Sequence, residues 1–134
     1  RAWALVFLAL PAAAAPAPAP AMHAELSCRP EAAPGRVLCE LTYQASPGAR
    51  LVWADALVTE APAFVRPLRA RVSLERFTAT GSAERKLTLA LVASKAGTGQ
   101  VTVLARAVVC KGQADQERCH TETQRVLAEV KVGA

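Results

Sequence analysis

From Glu25 to the C-terminus, apolar and polar residues alternate with the two-residue period of a half-buried β-strand. The alternation stops for turn residues about every ten positions, the spacing of an antiparallel two-sheet fold. Glu25 to Arg29 reads as a short first strand and Pro30 to Gly35 as the turn after it. In the second strand Val37, Cys39, Leu41 and Tyr43 share one face, with Glu40 and Thr42 on the other. Ser46-Pro47-Gly48 closes it. Leu51 to Val58 is apolar on both faces except for Asp55, which predicts a central third strand. Leu68, Ala70, Val72 and Leu74 alternate with Arg69, Arg71, Ser73 and Glu75, as in an edge strand whose arginines face water. Ala79 to Glu84 turns the chain, and Leu87, Leu89 and Leu91 point inward in a fifth strand. Gly97-Thr98-Gly99 reads as a tight connection. Gln100 to Cys110 makes the longest strand, Lys111 to Thr121 a polar loop, and Val126, Ala128, Val130 and Val132 the inner face of the last strand.

No stretch carries a helical period with caps. Seven strands in about 110 residues predict an all-β fold, an immunoglobulin-like antiparallel β-sandwich. The chain of 134 residues has room for one such domain. It lacks Ile and Asn altogether, so Val, Leu and Thr must carry the β propensity.

Residues 1–21 read as a leader and spacer, and the folded domain is expected over 24–134. Arg1 precedes the apolar run Ala2 to Leu10, Pro11 ends it, and Ala12 to Ala15 supply small side chains. That is the order of charge, apolar core and small residues in a secretory signal. Nine apolar residues are about half of what a bilayer span needs. Cleavage is expected after Ala14, Ala21 or Ala24. Ala15 to Ala21 alternates Ala and Pro, a stiff extended spacer with little to bury. The protein is therefore expected in the periplasm or outside the cell.

Four cysteines in a small exported domain imply two disulfides. One arrangement closes two local hairpins, Cys28–Cys39 and Cys110–Cys119. The nested arrangement pairs Cys39 with Cys110 and Cys28 with Cys119, and would give the Cys…Trp…Cys order of antibody domains through Trp53. Strand phase favours the local pairs. Cys39 lies with Val37 and Leu41 on the inward face, whereas Cys110 shares the phase of Thr102 and Arg106 and points outward. The loop from Cys110 to Cys119 is polar and charged, the setting in which a disulfide exchanges most readily. Lys111 and Arg118 would favour a thiolate there, and His120 would do so when protonated or act as a base when neutral.

The run Val103 to Val132, strand–Cys–polar loop–Cys–strand, resembles the last hairpin of the N-terminal immunoglobulin-like domain of the transmembrane disulfide reductase DsbD. The resemblance covers about a quarter of the chain and implies that Cys110 and Cys119 carry thiol–disulfide exchange. The loop here is longer than in that family, and His120-Thr121-Glu122-Thr123 stands where aromatics and prolines are found in it. Cys28 and Cys39 have no counterpart.

Other chemistry is not written in the chain. Aromatics at 4% and a net charge of +5 spread along the sequence give no basic, aromatic-lined face for nucleic acid. Weak contact with anionic surfaces remains open to such a charge. No Cys-x-x-Cys, nucleophile elbow, phosphate loop or zinc-protease motif is present, so no metal site and no cofactor are expected. Asp55 beside Trp53 is the one oddly placed acid, read as outward-facing or arginine-paired. The expected function is a non-catalytic module that binds a protein or envelope component, with thiol–disulfide exchange as the alternative.

Overall fold

The computed structural model describes residues 8–11, 19–74 and 81–134. Eight strands form among them: β1 (Met22–Cys28), β2 (Gly35–Ala45), β3 (Ala49–Glu60), β4 (Val65–Pro67), β5 (Arg71–Leu74), β6 (Glu84–Ala93), β7 (Gly97–Lys111) and β8 (Arg118–Val132). All strand pairings are antiparallel. They build two four-stranded sheets, β1-β2-β6-β4 and β5-β3-β7-β8. The first sheet has the A-B-E-D order of an immunoglobulin constant domain, and β3-β7-β8 has its C-F-G order. The protein is an immunoglobulin-like sandwich, with β5 added beside β3.

The core lies where the alternating faces meet. Val37, Cys39, Leu41 and Tyr43 from β2 and Leu87, Leu89 and Leu91 from β6 oppose Leu51, Ala54 and Ala56 from β3 and the odd-numbered Val101 to Val109 of β7. Alanines at 54, 56, 105 and 107 leave room for the large side chains opposite, so the two layers interdigitate at interior density. Tyr43 uses that room. Its ring is fully buried, and its hydroxyl crosses the sandwich to donate to the main-chain carbonyl of Asp55. That bond satisfies the one polar atom the ring carries inward. Burial, with the nearby Asp55 carboxylate, pushes the phenol well above its ordinary pKa.

Several boundaries differ from the sequence expectation. The first strand starts at Met22, with Ala21 already buried. Of the edge strand expected over Leu68 to Leu74 only Arg71–Leu74 forms, as β5 beside β3, while β4 precedes it at Val65–Pro67 and pairs with β6 in the other sheet. The chain changes sheets between Pro67 and Arg71, a step that alternation alone does not mark. Gly97 and Gly99 open β7 instead of turning the chain. A Cβ at Gly99 would lie 2.4 Å from Pro62 Cγ, and one at Gly97 would lie 2.9 Å from the Phe64 ring. Close approach is thus what these glycines provide. The polar loop expected over Lys111 to Thr121 shortens to 112–117, because Cys110 and Cys119 are register partners and the ladder runs to Lys111↔Arg118. The leader through Phe7, the spacer at 12–18 and the first two residues of the turn at 79–84 lie outside the described residues. Among the described residues no helix is long and apolar enough to cross a membrane.

Candidate functional site

Asp55 sits on the outer face of the β5-β3-β7-β8 sheet. A bulge between Leu51 and Trp53 shifts the register of β3. Leu51, Ala54 and Ala56 then face the core, and Trp53, Asp55 and Leu57 face outward. Although it is outward, the Asp55 carboxylate is fully buried. Two arginines cover it. Arg106, its cross-strand partner on β7, donates from Nε to Oδ1 at 2.8 Å and from Nη2 to Oδ2. Arg71 on β5 donates from Nε to Oδ2 at 2.9 Å. Hydrogen bonding to Asp55 raises the pKa of Arg106 further above its ordinary value. The guanidinium carbon of Arg106 also lies 5.8 Å from the centroid of the Trp53 ring, within cation–π range. Sequence reading flagged Asp55 and Trp53 but missed Arg106. The signal was available in principle, since Arg106 is the one charged residue in the run from Val101 to Cys110.

The two outer faces of the sandwich differ. On the sheet with Asp55, the central strands present Trp53, Leu57, Leu104 and Val108, all half-buried, with Leu127 exposed on β8 beside them. On the other sheet, β2 and β6 present Arg36, Glu40, Gln44, Glu84, Lys86 and Thr88, all exposed, with Leu38, Ala90 and Val92 half-buried toward one end. The second pattern is an ordinary solvated face. The first gathers an aromatic ring, aliphatic side chains and arginines, with Thr121, Thr123 and Arg125 beside them on β8.

The cysteines form the two local disulfides, Cys28–Cys39 and Cys110–Cys119. Each joins directly opposed residues of neighbouring strands, with Cα–Cα distances of 3.9 and 4.0 Å. Cys39 is buried in the core and Cys28 is half-buried. The other pair is on the outer face, at one end of the Asp55 sheet. Cys110 is 1% exposed, whereas Cys119 is open to solvent. Arg50 is the cross-strand partner of Cys110 on β3 and was not anticipated from the sequence. Its Nη2 lies 2.5 Å from Glu117 Oε1, and the same oxygen lies 3.4 Å from Cys119 Sγ. Lys111 and Arg118 pair with one another one step beyond the disulfide, where the alternation of a strand turns their side chains to the opposite face. Donor atoms of Cys110, Glu117 and Cys119 lie within 4.8 Å of one another. Two sulfurs bonded to each other lack the thiolate charge that metal binding needs.

His120 is not brought to that pair. It follows Cys119 along a strand and so points the other way, with its Nε2 2.9 Å from Glu122 Oε1. Glu122 and Gln124 hold the seam between the edge strands β8 and β1. Glu122 accepts from the main-chain N–H of Ala21 at 2.7 Å and of Met22 at 3.1 Å. The Gln124 amide accepts from Ala24 N–H at 2.7 Å and donates to the Met22 carbonyl at 2.6 Å. Two side chains thereby stand in for the backbone of a missing neighbour strand. Burial pushes the Glu122 carboxyl up. Its hydrogen bonds with His120, Ala21 and Met22 outweigh that, and the group titrates below its ordinary value of 4.5. A carboxylate with a lowered folded-state pKa contributes stability above its unfolded value and loses it as pH falls through the folded one. Amide-exchange protection of Met22 is therefore expected to persist through the ordinary glutamate titration range and to fall only at pH below it. Ala24, held by the neutral Gln124 amide, keeps its protection there. Equal loss at both amides would show that the carboxylate is not what holds Met22.

Comparison with protein-family models and with curated proteins finds no match. Among solved structures, the chain is similar to the PapD-like domain 7 of human CEP192 (10% identity, 100% of this chain and 99% of that chain, TM-score 0.42). It is also similar to AggA, the major subunit of aggregative adherence fimbriae type I from Escherichia coli (11% identity, 83% and 95% covered, TM-score 0.38). A third is BslA, a bacterial hydrophobin (12% identity, 86% and 97% covered, TM-score 0.35). All three TM-scores lie below 0.5, and the fold is read from the strand order described above.

Proposed function

We propose that the protein is an exported, non-catalytic module that binds another protein of the cell envelope through the outer face of its β5-β3-β7-β8 sheet. The difference between the two outer faces carries the proposal. Trp53, Leu57, Leu104, Val108 and Leu127 lie on one, whereas the apolar residues on the other, Leu38, Ala90 and Val92, are fewer and include no aromatic. Two disulfides fit an oxidising compartment, where such bonds form and persist. A photo-crosslinking residue placed at Leu127 should capture a discrete envelope protein in living cells. The same residue at Thr88, on the polar face, should not. Equal capture at both positions, or none at Leu127, would remove the proposal.

The asymmetric disulfide supports a second reading, thiol–disulfide exchange. An incoming protein thiolate can reach only the exposed Cys119 Sγ. A new S–S bond would form there, the bond to Cys110 would break, and Cys110 would leave as a thiolate on the side where Arg50 stands. A reduction potential below about −300 mV for this pair would leave it a structural link.

A further inference from the structure

We infer that Arg71 and Arg106, held in place by Asp55 and Trp53, form a receptor for a carboxylate on an acidic, extended segment of a protein partner. The inference rests on the docking face proposed above and names the chemistry it recognises. Neutralising Asp55 takes one arginine. Arg106 alone does so with two parallel hydrogen bonds, the strongest geometry a carboxylate can accept. Arg71 is a second cation on the same oxygen, Oδ2. The group of three carries a net positive charge on a face where Leu57, Leu104 and Val108 lie near it and Ser73 and Thr123 are its neighbours on β5 and β8.

Among the described residues that charge is not balanced within the chain. The carboxylates nearest the rim are engaged elsewhere: Glu117 with Arg50 at 2.5 Å, Glu60 with Arg125 at 3.7 Å and Glu129 with Lys131 at 3.9 Å. A second carboxylate laid over the two guanidinium groups would complete an alternating square of charges, and each new contact would be a charge-assisted hydrogen bond. Arg106 gives Asp55 the Nε–Nη2 edge of its guanidinium, which leaves the Nη1 side for another acceptor. The side chains of Arg71 and Arg106 are 56% and 35% exposed, so both can be reached. Neither is loose. The bonds to Asp55 fix both heads, and the Trp53 ring flanks one of them, so little side-chain freedom is lost on binding. Leu57, Leu104 and Val108 around them would exclude water from the contact and strengthen it. A strand-like segment alternating apolar and acidic residues meets both features of the face at once. That favours a protein carboxylate over a polysaccharide sulfate or a lipid headgroup.

The test uses the full chain with both disulfides intact, followed by NMR through the arginine Nε–H and tryptophan indole signals. The probes are an extended peptide of alternating leucine and glutamate and its counterpart with glutamine. The glutamate peptide should shift the Arg71, Arg106 and Trp53 signals and bind about tenfold more tightly than the glutamine peptide. Arg71→Ala should lose about the same factor while Arg106 keeps Asp55 paired and the fold intact, and Arg71→Lys should recover part of it. Equal binding of the two peptides, or unchanged binding by Arg71→Ala, would overturn the receptor. So would the same shifts from dextran sulfate or anionic vesicles without any from the glutamate peptide. If crosslinks from Leu127 survive in Arg71→Ala with undiminished yield, the docking face stands and the carboxylate receptor alone falls.

Discussion

Asp55→Ala is expected to cost about 1.5–3 kcal/mol of unfolding free energy, the scale of the charge-assisted hydrogen bonds lost with a buried carboxylate. Part of the loss comes from what stays behind. Arg106 and Arg71 would stand side by side with no anion between them, partly relieved by the water that their exposure admits. Urea unfolding at neutral pH measures this. Removing the cations with the anion separates the two causes. Asp55→Leu with Arg106→Met and Arg71→Leu should recover most of the loss, since apolar residues of similar volume commonly replace buried ion groups without penalty. If that triple variant is as unstable as Asp55→Ala, packing and not charge governs the site.

The second large effect separates the disulfides. Each closes a loop of about ten residues, so deleting either by paired alanine substitution should cost about 3 kcal/mol through the unfolded chain. Their chemical accessibility differs at the outer partner. Cys39 and Cys110 are each 1% exposed, but Cys28 is half-buried whereas Cys119 is open to solvent. Under mild thiol reductant and alkylation, mass spectrometry should find Cys110 and Cys119 labelled while Cys28 and Cys39 remain joined. The first mixed disulfide should be on Cys119. Simultaneous loss of both bonds would mean that reduction proceeds through global unfolding and that the outer pair has no reactivity of its own.

Much of this molecule could be read before folding. Alternation placed Val37 to Tyr43 and Leu87 to Leu91 on the inner face, and phase alone sent Cys39 inward and Cys110 outward, which decided the pairing of the disulfides. These features are local, because a strand's two-residue period assigns each side chain to a face without reference to any partner. Asp55 was visible as an anomaly for the same reason. Its partners were not. Arg106 is 51 residues away in sequence and Arg71 is 16, and register between strands brings them to one carboxylate.

The same division runs through the rest of the fold. Composition and period determined that the chain forms a two-layer β-sandwich stapled within its hairpins. Tertiary structure alone decided that residues 65–74 divide between the two sheets, that Gly97 and Gly99 serve close packing against Phe64 and Pro62, and that Glu122 and Gln124 hold β1 from about 100 residues away. It also decided that His120 serves the seam and not the disulfide beside it in sequence. Each of these depends on which strand edges and faces come to lie side by side. Long-range pairing sets that, and no short window of sequence contains it.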